Sequence, residues 1–323
     1  MTKPTKRPFE PADFSRIKTY PISERKSLVN TGMFVNLEGY KKSGLVTDLF
    51  PSILKGNDIR ELVHAIKAAK SAGKPVVLAM GAHVIKCGLA PIVIDLMERG
   101  VVDALALNGA GAVHDLEIAF HGATSEDVAT EIKEGRFGMV DETARHFNQA
   151  LKKHVRGDVG MGEAIGRYIA EEKMPNSSVS LLSAGYRMGK PVTVHVAIGA
   201  DIVHIHPSVD GAVTGLATLN DFRLFTGVVS KLGGGGVYMN IGSSVILPEC
   251  FIKALSAARN LGADVTGFTT VNMDMIQSYR PAVNVVNRPI QGAGKGISIT
   301  GHHEIMIPLL YHLLVTEEGL DKP

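Results

Sequence analysis

The sequence predicts an α/β protein with a mostly parallel sheet and helices on both of its faces. Three observations carry that prediction. Short apolar runs alternate with amphipathic stretches of helical period, the rhythm of strand–helix–strand units. Several of the runs end in a glycine or a small polar turn: Gly81, Asn108 to Gly111, Asp210-Gly211, Gly242 and Thr270 to Asp274. The chain has 35 glycines and no tryptophan in 323 residues, which suits tight turns and close backbone approaches better than an all-helical fold.

Taken in order, residues 1–50 mix Pro4, Pro8, Pro11 and Pro21 with basic side chains and read as an N-terminal arm over the surface or onto a partner subunit. Residues 51–323 read as one α/β domain, since no repeat or linker divides them. Asn57 is a candidate cap for a helix over Asp58–Ala72, where Ile59, Leu62, Val63 and Ile66 recur at helical spacing and Gly73 ends the pattern. Pro75–Met80 is a strand, followed by Gly81-Ala82-His83 and a helix over Val84–Arg99 that Gly100 breaks. Val101–Leu107 carries no charge after Asp103 and reads as a buried parallel strand, with a helix over 112–121 behind it. Thr124 to Asp127 resembles the cap of a further helical piece. Val140–Lys173 is mostly helical, with Gly157 and Gly160 as a break and Met174-Pro175 as a stop. Ser178–Ser183 suits helix or strand, and Pro191–Val196 a strand. Val203–Ile205 is expected as a short strand ending at His206-Pro207, with a helix over 216–231 after it. Gly233 to Gly236 lead into a strand at Val237–Asn240, and Pro248 opens a helix to about Leu261. Asp264–Thr269 is a strand ending at Thr270 to Asp274. A loop with Arg280-Pro281 and Arg288-Pro289 follows, and Gly301 begins the final helix near His302.

Composition excludes several classes of function. The 34 basic and 32 acidic side chains leave a net charge of +2, so no global field draws a nucleic acid or a membrane surface. Cys87 and Cys250 are too few for a disulfide framework or a cysteine-built metal site and fit a reducing cytoplasm. Met1 to Ser15 is polar, without the apolar core of a signal peptide, so export is not expected. The apolar segment Ile305–Val315 is interrupted by Pro308 and His312 and is too short to span a bilayer.

In an open parallel sheet the turns at the carboxyl ends of the strands are where ligands bind, which places the site among those glycine and polar turns. At Asn108-Gly109-Ala110-Gly111 the glycines let a ligand approach the backbone, and the amides of the following helix favour a phosphate or carboxylate. The spacing is not the dinucleotide fingerprint, because no third glycine stands three residues on, and the glycines also suit plain helix–sheet packing. His204 and His206, two apart on an expected strand, form a candidate His-x-His metal pair, against the plainer reading of a packed or hydrogen-bonding pair with no third ligand in place. His302-His303-Glu304 read as helix-capping residues, and no metal site is expected there. Gly233 to Gly236 lack the lysine and hydroxyl residue of a P-loop. Asp115, Asp210 and Asp274 each suit a cap taken singly and an acidic cleft for a cation or a ribose hydroxyl taken together.

The order of these motifs resembles the deoxyhypusine synthase family from about Gly81 to Leu310. The resemblance rests on Cys87-Gly88, Asp103 to Asp115 with its Asn-Gly-Ala-Gly turn, and Pro207-Ser208-Val209-Asp210-Gly211. It continues through Gly234-Gly235-Gly236-Val237, Asn260 to Asp264, Arg280-Pro281 and Pro308-Leu309-Leu310. It implies a Rossmann-like NAD-binding fold, usually a homotetramer with active sites between subunits. The family oxidises spermidine, releases 1,3-diaminopropane and passes the butylamine unit through a lysine imine. Carried over by position, the resemblance assigns NAD contacts to Gly81, Ala82, Asn108, Gly109, Ala110, Gly111, His114, Asp210, Gly234, Gly235, Thr270, His302 and His303. It assigns substrate contacts to Asp210, Asn240 and Asp274.

The departures fall on the chemistry. The family's catalytic lysine stands nineteen residues before the proline of the Pro-Leu-Leu motif, a count that lands on Pro289, beside Arg288. Arginine stays protonated and is a poor amine nucleophile, so Arg288 is a candidate either for catalysis or for anchoring an anionic group. Lys295 is the nearby lysine. The family's paired histidines fall on Asn240 and Ile241, and Val113 and His114 replace two glutamates. The resulting expectation is an NAD-dependent enzyme of transferase type acting on a polyamine or related amine, by aminobutyl transfer or homospermidine-type chemistry rather than true deoxyhypusine formation. His206, Arg288, Lys295 and Asp274 are its catalytic candidates, with His114 a second proton acceptor. The alternatives are a metal-assisted hydrolase using His204 and His206, and a non-catalytic binding protein on the NAD scaffold.

Overall fold

The computed structural model describes residues 31–316 and, before them, 14–16, 18–19 and 21–24. Six strands form one parallel sheet in the order β3-β2-β1-β4-β5-β6. They are β1 (Val76–Met80), β2 (Ala104–Asn108), β3 (Val192–His195), β4 (Val237–Ile241), β5 (Phe268–Asp274) and β6 (Gly294–Thr300). The register runs Leu78 against Leu105 and Met239, and Thr270 against Tyr238 and Gly296. Chain direction across the sheet reverses between β1 and β4, the switch point of a doubly wound sheet.

Alternation along each strand builds two cores. Val76, Leu78 and Met80 of β1 join Leu105, Val194, Met239, Val271 and Ile297 on one face. That face is covered by α1 (Leu54–Ser71), α2 (Ala90–Glu98), α3 (Gly109–His121), α4 (Asp141–His154), α5 (Met161–Glu171) and α6 (Leu181–Met188). Val77, Ala79, Ala106, Tyr238 and Phe268 face the other way, under Phe225 of α7 (Gly211–Val229) and Phe251 of α8 (Ile246–Asn260). The last helix, α9 (His303–Thr316), returns to the first face with Ile307, Leu310, Leu313 and Leu314. The central strands are therefore buried on both faces, as expected for a parallel sheet, while β6 at the edge keeps Gly294, Lys295 and Thr300 exposed. No helix among the described residues is long and apolar enough to cross a membrane.

Local chemistry shifts several expected elements. α1 begins at Leu54 rather than at a cap on Asn57, which lies inside the helix, and Gly73 at φ +63 follows its end. The expected helix over Val84–Arg99 is two pieces, His83–Lys86 and α2, because Gly88 takes φ +74 between them and Pro91 suits a new first turn. The expected strand Val203–Ile205 is a 3-10 turn over Ile202–His204. α7 starts five residues earlier than expected, at Gly211, because Asp210 caps it by accepting from the Ala212 and Val213 amides. β5 runs to Asp274 rather than Thr269, and the loop expected after it contains a π-helical turn over Ala282–Asn287 and all of β6. Of the expected N-terminal arm, Pro4, Pro8 and Pro11 lie outside the described residues. Residues 31–50 are largely exposed and are tied down where Arg60 donates to the Thr47 and Phe50 carbonyls.

Candidate functional site

Asn108 ends β2 and caps α3, its Oδ1 accepting from the Gly111 amide at 2.9 Å. A second amide of this helix start, that of Ala110, meets Asp201 from the loop after β3. The Asp201 carboxylate faces the Ala110 amide and accepts from the Ala197 amide at 2.8 Å. It lies against Gly109 so closely that a Cβ there would overlap the carboxyl group, which is why glycine stands at that position. Burial raises the Asp201 pKa, and these amides and the His204 ring act to lower it.

Asp201 is one wall of a pocket of about 220 Å³ over the first half of α3, lined also by Ala110, His114, Glu117, Ser125, Glu126 and Lys86. A second hollow of about 570 Å³ shares Glu117, Ser125 and Glu126 and adds His121, Glu142 and Thr143. Four carboxylates thus face these two lobes against a single lysine. Glu117 is held in place by Thr143 Oγ1 at 2.7 Å and by the Thr124 hydroxyl, which also meets His114 Nδ1. Burial works to raise the Glu117 pKa, but hydrogen bonds from His114, Thr124 and Thr143 outweigh it, so the group stays below the usual carboxylate range. Glu126 accepts from the Gly138 amide at 3.2 Å. Ser125 takes φ +79, a strained backbone for a residue with a side chain, at the point where the two lobes share a wall.

The sequence-derived candidates separate into groups. Ala110 and His114 line the pocket, and Asn108, Gly109 and Gly111 build its floor. Asp210 is engaged as the α7 cap, and Asp115 is buried against Ser180 Oγ (2.6 Å) and the Leu181 and Leu182 amides, so the three aspartates do not form one cleft. Asp274 ends β5 beside His303, with Oδ1 3.9 Å from Nε2. His302 is exposed and paired loosely with Glu304. Gly81 and Ala82 follow β1, and a Cβ on Gly81 would strike the Gly242 carbonyl, so the turns after β1 and β4 touch backbone to backbone. Asn240 and Thr270 are buried within the sheet, Asn240 donating to Asn272 Oδ1 at 2.7 Å and to the Ser243 carbonyl at 2.9 Å.

Gly234 and Gly235 precede β4, and Lys295 begins β6, paired with Glu61 of α1, so all three stand at the amino edge of the sheet. Arg288 donates to Asn284 Oδ1 at 2.9 Å on the approach to the same edge. Arg288 and Lys295 are therefore not brought together with His206 or Asp274. His206 meets Ser208 Oγ at 2.7 Å and Asp141 Oδ1 at 3.2 Å, while His204 lies on the 3-10 turn, so the pair does not share a strand face as a His-x-His chelate would.

Sequence reasoning missed Asp201, Glu117 and Glu126. Their signal was weak: Asp201 follows Gly199-Ala200 with no flanking motif, and Glu117 sits inside an amphipathic helix.

NAD is the cofactor that the family resemblance implies. A pyrophosphate needs free amides at a helix start. At α3 the Gly111 amide is taken by Asn108 and the Ala110 amide by the Asp201 carboxyl group, and between β1 and β4 the turns touch. The residues as arranged do not fit the dinucleotide at either place.

No protein-family model matches the chain, and no curated protein matches its sequence. Solved structures do match. AgrE in ternary complex with ornithine and NAD+ is 16% identical, covering 79% of this chain and 32% of that one at a TM-score of 0.50. Unliganded AgrE is 15% identical, with the same coverage and a TM-score of 0.51. A protein of Entamoeba histolytica provisionally assigned as a deoxyhypusine synthase is 11% identical over 91% of this chain and 95% of that one, at a TM-score of 0.45. The chain spans about a third of the length of AgrE. The six-stranded parallel sheet with helices on both faces is thus a Rossmann-like fold, shared with a structure that holds NAD+.

Proposed function

We propose that the protein is an enzyme acting on a small cationic amine of polyamine type, bound in the acid-lined pocket over α3. The observation that carries this reading is the charge of the two lobes: Glu117, Glu126, Asp201 and Glu142 against Lys86 alone. Glu117, Glu126 and Asp201 are at least partly buried and Glu142 stands exposed at the rim; buried carboxylates that outnumber nearby cations favour an ammonium group, which relieves their mutual repulsion and the cost of burial. Two adjoining lobes with acids in each suit a chain carrying two separated ammonium groups. Glu117, fixed by three partners and held ionised, is the anchor; Asp201 meets the ammonium at the floor. His114, hydrogen-bonded through Thr124 to Glu117, lines the same pocket and is the group placed to exchange a proton with the amine.

The family resemblance adds the finer reading: a scaffold of deoxyhypusine synthase type, assembled as a homotetramer in the cytoplasm, with its chemistry changed by loss of the lysine. NAD is the cofactor which that resemblance implies, although Asp201 holds the helix start that its pyrophosphate would need. Calorimetric titration of the protein with spermidine, ornithine and NAD tests the reading. Saturable amine binding that Glu117→Gln weakens supports it, and no amine binding contradicts it.

A further inference from the structure

Three side chains with metal-ligating atoms meet at the carboxyl edge of the sheet, outside the acid-lined pocket. His83 and Cys87 are four residues apart at the two ends of the turn after β1, which puts them on one face. Gly88, at φ +74, turns the chain away directly behind Cys87. Glu304 is the second residue of α9, brought to the same place by β6. One ligand atom from each residue lies within 4.8 Å of the others, and Cys87 Sγ is 3.7 Å from Glu304 Oε2.

A second observation points to the same spot. His303 is 1% exposed, and no hydrogen bond of normal geometry reaches either ring nitrogen. Its ring stands edge-on to that of His83 at 5.6 Å, with Asp274 on its other side. A buried imidazole held only by long contacts, with no hydrogen bond of normal geometry, is uncommon and calls for a reason.

We propose that His83, Cys87 and Glu304 bind a divalent transition-metal ion of the zinc class, leaving a fourth position open to a water or small ligand. The donor set supports the class: one nitrogen, one sulfur and one oxygen suit zinc, cobalt or nickel, whereas magnesium and calcium prefer oxygen alone. Metal–ligand bonds of about 2.0–2.3 Å place tetrahedral ligands roughly 3.3–3.8 Å apart, so the three atoms need to close by about 1.5 Å at most. Burial and the Glu304 carboxylate both raise the Cys87 thiol pKa. A cation reverses this: the thiol proton leaves to solvent, and the thiolate and carboxylate are both drawn to the metal. Three protein ligands with an open position are the pattern of a reactive metal site, and His303 with Asp274 lies where an outer shell would steady the His83 ring. The inference does not rest on the amine reading.

The test is cobalt titration of the full-length, chelator-treated protein, followed by absorbance and by metal analysis after dialysis. The expected result is one cobalt per chain with a near-ultraviolet thiolate-to-metal band. Cys87→Ser abolishes the band and weakens binding more than about tenfold, while Cys250→Ser keeps both. Glu304→Gln, at an exposed position, weakens binding with the band retained and answers the question even if Cys87→Ser folds poorly. Cobalt bound at well under one per chain overturns the proposal. So does a band that persists in Cys87→Ser, or affinity unchanged by Glu304→Gln.

Discussion

The carboxylate of Asp201 occupies the place where a side chain on Gly109 would begin. The helix start that the glycine turn announces as an anion site is thereby closed by the chain's own anion, and the same group turns the adjoining pocket acidic. One residue from the loop after β3 thus places a carboxyl group where a phosphate-type feature would otherwise stand.

Gly109→Ala is expected to destabilise the protein by about 1–3 kcal/mol, because the added methyl must push Asp201 off the α3 amides. Urea unfolding midpoints measure it; an unchanged midpoint would show that Asp201 is not held there.

Asp201→Asn removes the charge and keeps the shape. Spermidine affinity should fall about tenfold or more, the loss of a charge-assisted contact, while affinity for NAD or inorganic phosphate should rise as the helix start loses its negative guest. Parallel calorimetric titrations of both ligands check the opposite signs.

Stability should fall from pH 6.5 to 8. Asp221 is buried, accepting from the Gly162 and Val194 amides, and burial raises its pKa to about 7, with Asp115 raised to about 6. The folded state therefore keeps protons that the unfolded chain has released, and that advantage is lost as pH climbs through the folded values. Below pH 6.5 the depressed histidines, His195 at about 4 among them, oppose the trend, because the unfolded chain charges them first. Melting temperature across this range, flattened by Asp221→Asn, is the measurement.

Asn240→Ala should cost about 1–3 kcal/mol by leaving the Asn272 side-chain oxygen and the Ser243 carbonyl without their buried donor. Thermal unfolding reads it directly.

The sheet was largely legible in the sequence because buried parallel strands are uninterrupted apolar runs: Val76–Met80 and Val237–Ile241 lie within a residue of where the pattern places them, and Ala104–Asn108 begins three residues later than the expected Val101. β6 was not, since Gly294, Lys295 and Gly296 break its run and only Ile297 and Ile299 are buried. Nor was the break at Gly88, where one left-handed glycine outweighs helical periodicity on both sides. Half of the site was visible at Asn108 to Gly111 and His114. Asp201 and Glu126 were not, because they reach α3 through loops whose paths depend on tertiary contacts that no local spacing encodes.

The proposed amine site is the acid-lined pocket over α3. Its most direct test is the spermidine titration of wild-type protein and Glu117→Gln at low and high salt. The account predicts one saturable site, weakened by salt as screening increases and weakened about tenfold or more by the substitution. Absent heat, or equal affinity in the two proteins, would contradict it.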